Sequence, residues 1–169
     1  TLSYAGIGTQ KCETELQTLF PELRIYRLDK DTAKSTRALE KVLKAFKEDG
    51  DVLIGTQMIA KGHHFEEVTL VGVLGIDNSL NIPDFRSSER CFQLLTQVAG
   101  RAGRGDKPGR VMVQSVLEDH YVLNHAKQHD FEGFYEEEVS FREALVYPPF
   151  SELINVIFSS EYRSTLEAY

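Results

Sequence analysis

The sequence predicts an α/β domain in which helices flank a parallel sheet. Short, nearly continuous apolar runs at residues 51–55 and 68–74 are typical of strands that are buried on both faces. Segments with helical periodicity separate the apolar runs, and helices interposed between strands make a parallel sheet. With 41% hydrophobic and 27% charged residues among 169, the chain can bury a core and does not have the composition of a disordered protein.

The chain begins with a helix, a strand and a second helix. The first helix occupies residues 11–20 and ends at Pro21, and a strand follows at 24–28. Residues 29–32 supply the turn and the N-cap of the second helix, which runs to about residue 48. Both helices carry apolar residues at helical spacing. These are Cys12, Leu16, Leu19 and Phe20 in the first helix and Leu39, Val42, Leu43 and Phe46 in the second.

Further strands and a long helix complete the part of the chain that builds the sheet. The strands are the apolar runs 51–55 and 68–74 and a third segment at 110–116, and the helix runs from about residue 85 to 99. The inner face of this helix consists of Phe92, Leu95, Val98 and Ala99.

The pattern changes after residue 117. Helices are predicted at 120–129 and 131–146, and the segment Tyr147-Pro148-Pro149-Phe150 then breaks the helix, because proline excludes the α conformation from the residue before it. Residues 153–158 have the pattern of one more strand. We therefore expect three parts, which are a lobe at 1–117, a helical extension at 118–147 and the start of a truncated C-terminal domain at 148–169.

Charge, cysteine content and hydropathy exclude several classes of protein. The net charge of −7 argues against a globally basic nucleic-acid binder. Cys12 and Cys91 are too few and too far apart for a zinc cluster, and we expect both to pack as small hydrophobic residues in a reducing cytoplasm. The apolar runs are too short for a membrane span. The N-terminal residues do not resemble a signal peptide, and they suggest a cut inside a longer protein.

The clearest chemical signal is the Gly-rich basic segment 97–104, at the end of the long helix. Arg101 and Arg104 lie three residues apart with a glycine beside each, so that two guanidinium groups can reach one cleft. This pattern suits a polyphosphate, because an arginine from a neighbouring element can stabilise charge on a γ-phosphate. A basic surface turn has the same spacing, and the spacing alone leaves both interpretations open.

A second candidate is the segment 55–62, where a strand passes into a helix. Ligands bind beyond the carboxyl ends of strands in open α/β sheets, and free N–H groups at a helix start can hold a phosphate. Taken alone, the segment is better explained as a plain strand-to-helix turn. The sequence contains no Gly-x-x-x-x-Gly-Lys-Ser/Thr loop, so it combines candidate γ-phosphate sensors with no nucleotide cradle.

Weaker features favour structural interpretations. The histidines of segment 120–129 include an i, i+4 pair but lack a third metal ligand at matching spacing. A basic stripe on the second helix could follow a DNA backbone, although a solvated face is favoured. The acidic helix around Glu136 is interpreted as a docking or water-facing surface. The stripe consists of Lys34, Arg37, Lys41 and Lys44, and the aromatic residues assigned to the core are Phe131, Phe134 and Tyr135.

The two motifs, in this order and about 40 residues apart, resemble the second motor lobe of superfamily 2 helicases. The amino-acid sequence of these and other segments resembles more closely the PriA family of bacterial replication restart helicases, also called primosomal protein N-prime. The resemblance covers nearly the whole chain, and segment 92–104 is the most specific part of it. The matching segments are residues 6–9, 27–32, 51–63, 68–74, 83–86, 89–90, 92–104 and 147–150.

The resemblance implies a RecA-like lobe of an ATP-dependent 3′-to-5′ DNA helicase that acts in replication fork restart and primosome assembly. It implies that Arg101 and Arg104, with Gln97 and Gly100 beside them, contact the ATP γ-phosphate across the cleft to the first lobe, where Gly62 also lies. A further set would contact DNA or couple it to the nucleotide. This set consists of Thr56, Gln57, Lys61, Asp29 and Thr32.

The resemblance also implies cofactors and partners for the parent protein. ATP and Mg²⁺ are its expected cofactors, and the zinc of the family's cysteine-rich insertion has no ligands in this chain. Expected partners are forked and single-stranded DNA, the first helicase lobe, primosome proteins and single-strand-binding protein, in the bacterial cytoplasm and without a membrane. The chain alone is expected to be inactive. The alternative is a nucleotide-independent α/β scaffold that binds DNA or a partner protein.

Overall fold

The computed structural model describes residues 8–29, 31–32, 35–57, 59, 65, 67–100, 109–156 and 159–160. The helices and strands predicted with bounds up to residue 146 are present, with ends shifted by a few residues, and α3 is an additional helix. The helix start expected in segment 55–62 lies mostly outside the described residues. The elements are α1 (Thr9–Leu19), β1 (Ile25–Leu28), α2 (Thr36–Asp49), β2 (Val52–Gly55), β3 (Leu70–Val73), α3 (Ile76–Leu80), α4 (Ser87–Ala99), β4 (Arg110–Val113), α5 (Tyr121–Gln128) and α6 (Phe131–Ala144).

The four described strands form two parallel pairs. β1 pairs with β2 from Ile25 opposite Val52 to Leu28 opposite Gly55. β3 pairs with β4 in the same parallel sense. Helices connect the strands of each pair along the chain, as parallel pairing requires. The predicted α/β class with parallel strands flanked by helices is confirmed.

Gly55 ends β2 at a point of close backbone approach. A β-carbon at this position would collide with the backbone carbonyl of Leu28 and with the side chain of Ile59. Leu28 is also the fully buried last residue of β1. The carboxyl ends of β1 and β2 therefore meet where only a hydrogen fits on the α-carbon.

Helix α2 is amphipathic as predicted, but its N-cap differs from the prediction. The side chain of Ser35 accepts a hydrogen bond from the Ala38 N–H at 3.2 Å. The prediction that residues 29–32 supply this cap is wrong, because the Asp29 and Thr32 side chains bond to their own loop. Leu43 is the buried centre of the apolar face. The described basic residues Arg37, Lys41 and Lys44 are exposed, and Lys34 lies outside the described residues.

One hydrophobic core joins α3 and α4 to the two C-terminal helices. The rings of Phe92 on α4 and Phe134 on α6 stack with their centroids 4.0 Å apart. Because this core spans both sides of residue 117, the helical extension packs on the segment before it; the predicted domain division stays a prediction. The buried members are Ile76, Cys91, Phe92, Leu95, Val122, Ala126 and Phe134.

Two expectations about packing and one about secondary structure are wrong in part. β3 is not buried on both faces, since Leu70 is 55% exposed and the face it shares with Gly72 is open among the described residues. Phe134 is buried as expected, but Phe131 and Tyr135 are exposed because they lie on the outer face of α6. The described residues 153–156 form no strand. In the part of the chain that the structure describes, no helix has both the length and the apolar character needed to cross a membrane.

Candidate functional site

The loop after β1 is organised by the carboxylate of Asp29. This carboxylate accepts hydrogen bonds from the N–H groups of Asp31 at 2.9 Å and Thr32 at 3.0 Å. In return, the Asp29 N–H donates to the Thr32 hydroxyl oxygen at 2.8 Å. Asp29 is only 6% exposed. The two predicted site residues therefore lie together and close the loop on itself.

Helix α1 and strand β1 hold the same carboxylate from the other side. The hydroxyl of Thr9 donates to Asp29 Oδ2 at 2.7 Å, and Arg27 Nη1 lies 3.1 Å from this oxygen. Arg27 Nε also pairs with Glu13 of α1 at 3.0 Å. These bonds, with those of the Asp31 and Thr32 N–H groups, engage both oxygens of the Asp29 carboxylate.

The hydrogen bonds keep Asp29 ionised well into the acid range. Its pKa falls from the usual 3.8 to about 2, first because the Thr9 hydroxyl bonds to the carboxylate and then because the Thr32 and Asp31 N–H groups and Arg27 favour the charged form. Sequence patterns did not identify Thr9, Glu13 and Arg27 as partners of this loop. Their contacts join residues up to 20 positions apart, and no local signal marks such a pairing.

Thr56 and Gln57 leave the neighbouring strand at the same edge. Because Leu28 and Gly55 are paired in register, the residues that follow them emerge side by side from the parallel pair. Both side chains are exposed. The Thr56 carbonyl accepts from the Ile59 N–H at 3.1 Å, which begins a turn. The structure thus brings Asp29, Thr32, Thr56 and Gln57 to one strand edge.

The remaining predicted site residues belong to the end of α4 and to segments outside the described residues. Gln97 is half-buried in the last turn of α4, and Gly100 caps this helix with its N–H bonded to the Thr96 carbonyl at 3.1 Å. Four predicted residues lie outside the described residues, so their structural prediction is untested. These are Lys61, Gly62, Arg101 and Arg104.

Of the C-terminal histidines, His125 is bonded to two carboxylates. His125 Nδ1 lies 2.9 Å from Asp130 Oδ2, and its Nε2 lies 3.0 Å from Glu137 Oε2, so both ring nitrogens are engaged. His129 ends α5 in the left-handed conformation. Within the described ranges, no group of three or more histidine, cysteine, aspartate or glutamate side chains is arranged to hold a metal ion.

The two cysteines are free thiols. Cys91 is buried in the core as expected, and burial raises its pKa to about 11, so the thiol stays protonated at neutral pH. Cys12 is only half-buried on α1. Burial, with a smaller effect of Glu15, raises its pKa as well.

An open groove of about 930 Å³ lies away from this strand edge. It is formed by the loop before α4, by α6 and by the turn that follows α6. None of the predicted site residues lines it.

Comparison with known protein families decides what kind of domain carries this strand edge. The family described as "Helicase conserved C-terminal domain" matches residues 7–106, which is more than half of the chain. The chain belongs to the helicase conserved C-terminal domain family. Its α/β fold with parallel strands is that of the RecA-like helicase C-terminal domain. The match extends from just before α1 past Arg101 and Arg104, so it includes every predicted site residue.

This helicase C-terminal domain is also similar to curated bacterial proteins named "Replication restart protein PriA". It is 50% identical over 161 residues to the protein of Bacillus subtilis (strain 168), which is 95% of this chain and 20% of the relative. The protein of Chlamydia pneumoniae is 50% identical over 159 residues, or 94% of this chain and 21% of the relative. That of Synechocystis sp. (strain ATCC 27184 / PCC 6803 / Kazusa) is 46% identical over 154 residues, or 90% and 18%.

These identities confirm the resemblance drawn from the motifs. The chain spans about a fifth of the length of the curated relatives it matches.

Proposed function

We propose that this chain is the second motor lobe of an ATP-dependent 3′-to-5′ DNA helicase that restarts abandoned replication forks and starts primosome assembly. The observation that carries the proposal is the strand edge. Asp29 and Thr32 leave β1, and Thr56 and Gln57 leave β2, on the side where ligands bind in open α/β sheets. The similarity to replication restart proteins supports the same conclusion.

In this proposal, nucleotide sensing belongs to the segment that follows α4. Arg101 and Arg104 contact the γ-phosphate of an ATP held mainly by the first lobe, with Gln97 and Gly100 beside them and Gly62 near the same cleft. Arginine suits this role because its planar, always charged guanidinium can meet two phosphate oxygens at once. In phosphoryl transfer such a residue stabilises the charge that develops on the transferred group, and Mg²⁺ bound with ATP would neutralise further phosphate charge.

DNA contact belongs to the edge of the β1–β2 pair. Asp29 is negatively charged at neutral pH and its oxygens are already bonded, so it would repel a phosphate and has no donor to offer. We assign Asp29 and Thr32 the task of fixing the loop beside the DNA. Thr56, Gln57 and Lys61 then contact the DNA backbone and couple it to the nucleotide state.

The partners of the full-length protein are those that a restart helicase needs. They are forked and single-stranded DNA, the first helicase lobe of the same protein, primosome proteins and single-strand-binding protein, in the bacterial cytoplasm. Zinc belongs to a cysteine-rich insertion outside this chain. The 169-residue chain alone should not hydrolyse ATP, because its sequence has no phosphate-cradling loop. Turnover above background in a purified sample of the chain would contradict this assignment.

Arginine substitutions in the full-length protein test the proposal. Arg104→Ala and Arg101→Ala should each lower DNA-stimulated ATP turnover by about 10³- to 10⁵-fold, because each removes an arginine finger. DNA affinity should change little. Arg37→Ala is the matched control, since Arg37 is exposed on α2 and carries the same charge. Near-normal turnover in both variants of the arginine motif, which is defined as Arg101 and Arg104, would reject the γ-phosphate assignment and favour the nucleotide-independent scaffold.

A further inference from the structure

Arg142 of α6 makes two ion pairs, one within its own helix and one that joins α6 to α4. Arg142 Nε donates to Glu138 Oε1 at 2.8 Å, and Arg142 Nη2 donates to Glu89 Oε2 at 2.9 Å. The Arg142 side chain is only 14% exposed and that of Glu138 only 9%, whereas Glu89 on α4 is 41% exposed. A charged group shielded from water to this extent keeps its partners, because it cannot exchange them for water without cost.

Neighbouring groups fix both carboxylates and the guanidinium. The Tyr121 hydroxyl of α5 donates to Glu138 Oε2 at 2.6 Å, and Gln93 donates to Glu89 Oε1 at 3.0 Å. The guanidinium carbon of Arg142 lies 5.1 Å from the ring centroid of Phe85, in the loop before α4. These contacts restrict the orientation of the planar guanidinium.

The polar link acts on the helix that leads to the arginine motif. Glu89 lies in the first turn of α4, and Gln97 follows eight residues later, about 12 Å along the axis at 1.5 Å per residue. Gly100 and Arg101 come directly after the helix. The apolar contacts of Phe92 and Leu95 hold α4 against the core and select which face of the helix is buried. The hydrogen-bonded ion pair is directional and can fix the rotation of the helix about its axis within that packing.

We propose that Arg142 is a positioning residue that fixes the rotation of α4 and thereby the orientation of its C-terminal end at Gln97 and Gly100. The helical extension would then contribute to the activity of the motor lobe. The effect of Arg142 on the orientation of α4 depends only on contacts between α4 and α6. Its consequence for ATP turnover rests on the proposed function of Arg101 and Arg104.

Hydrogen exchange in the 169-residue chain tests the effect of Arg142 on α4. Arg142→Gln should make the amides of residues 96–100 exchange roughly tenfold faster, because α4 is no longer held by the hydrogen bond to α6 and its last turn opens more often. Arg90→Gln is the matched control: it removes the same charge from α4 itself, but Arg90 is 54% exposed and pairs with Asp84 instead of α6. If Arg142→Gln prevents folding, Glu89→Gln replaces it, since this variant keeps the pair between Arg142 and Glu138. Unchanged exchange, or an equal change in Arg90→Gln, would overturn the inference.

Kinetics in the full-length protein test the consequence. Arg142→Gln and Glu89→Gln should each lower kcat for ATP roughly tenfold and leave KM within about twofold, because neither residue touches the nucleotide. The double variant should be no worse than either single variant, since both remove one link. A merely destabilising effect would instead lower the melting temperature and leave kcat per folded molecule unchanged, which would overturn the inference, as would multiplicative losses.

The two proposals fail in different ways. If Arg104→Ala retains turnover while Arg142→Gln still loosens the end of α4, the assignment of the arginine motif is wrong and the positioning link stands. If Arg104→Ala abolishes turnover while Arg142→Gln changes neither exchange nor kcat, the proposed function stands and the positioning link is wrong.

Discussion

The hydroxyl of Thr9 lies 2.7 Å from the carboxylate of Asp29 and donates a hydrogen bond to it. Thr9 is the first residue of α1, so the helix start is tied to the loop after β1. Helix α1 has no acidic residue in its own first turn. Asp29 therefore supplies, from another element, the negative charge that stabilises a helix N-terminus. The loop and the helix form one unit at the strand edge.

The ionised Asp29 carboxylate should make the folded chain less stable at acid pH than at neutral pH. Because the pKa of Asp29 in the folded chain is about 2 instead of 3.8, its contribution to stability is present above about pH 4 and is lost as the pH falls towards 2. Asp29→Asn should flatten this part of the pH dependence. The measurement is urea unfolding at a series of pH values between 2 and 6.

The carboxylate of Asp84 is the control for the acid experiment. Its pKa is also about 2, but the cause is the pairing with Arg86, which is 52% exposed. Salt screens such an exposed pair, whereas Asp29 is held mainly by neutral donors, and the charge of Arg27 is the smallest of the causes that lower its pKa. High salt should therefore weaken the contribution of Asp84 and leave that of Asp29. An identical acid response in Asp29→Asn and the unmodified chain would contradict the prediction.

The stability that protonated His125 gives to the C-terminal helices should be lost as the pH rises. The pKa of His125 lies above the usual 6.5, first because of the hydrogen bond to Glu137 and also because of Asp130. The extra stability is fully present below pH 6.5 and is lost as the pH rises through the folded pKa. We expect at most about 1 kcal/mol, because the two carboxylates are about 40% exposed.

An NMR titration of the His125 ring and unfolding of His125→Gln between pH 5.5 and 8.5 measure this effect. Glu137→Gln should remove the larger part of the pKa elevation and leave the bond to Asp130. His120 needs separate assignment in the spectra, since burial lowers its pKa and its effect has the opposite sign. A pKa of His125 below 6.5 would show that the ring is not held between two carboxylates.

Removal of the Phe134 ring should destabilise the core by about 3–5 kcal/mol, because it leaves a cavity against the stacked ring of Phe92. Phe131→Ala is the matched control, since Phe131 belongs to the same helix but is 64% exposed, and a surface change of this kind stays within about 0.5 kcal/mol. The midpoint of urea unfolding compares the two. Similar losses in both variants would mean that α6 does not pack through Phe134.

Lys61→Ala in the full-length protein should weaken single-stranded DNA binding equally for all sequences. Each lost phosphate contact lowers the salt-dependence slope by about 0.7 for a single strand. Lys41→Ala is the control, because Lys41 is exposed on the basic stripe of α2. A salt titration in which Lys41→Ala changes the slope and Lys61→Ala does not would move the DNA path to that stripe.

The elements that the sequence predicts well are those with a local cause. The apolar spacing of α2 and α4 and the turn at Gly50 all act over a few residues. Helix α3 was missed because it has only five residues and three of them, Asp77, Asn78 and Ser79, are weak helix formers. The apolar run of β3 shows that the strand can be buried, but not which element covers each face.

The candidate site shows the same division. The sequence motifs predict which residues form the site. The order of the strands predicts that the residues after β1 and β2 meet at one edge of the sheet. The bond between Thr9 and Asp29 spans 20 residues and that between Glu89 and Arg142 spans 53. Only the folded chain brings these partners together, so no sequence window contains their signal.

Gly55 makes the strand edge intolerant of variation. In a library that samples all amino acids at this position, we expect glycine alone to survive selection for a folded chain, because even alanine would force apart β2 and the carbonyl of Leu28. Thr56, one residue later and exposed, should accept many substitutions without loss of the fold. Two adjacent positions would thus fail for unrelated reasons, the first through loss of soluble protein and the second through loss of activity in protein that is still abundant.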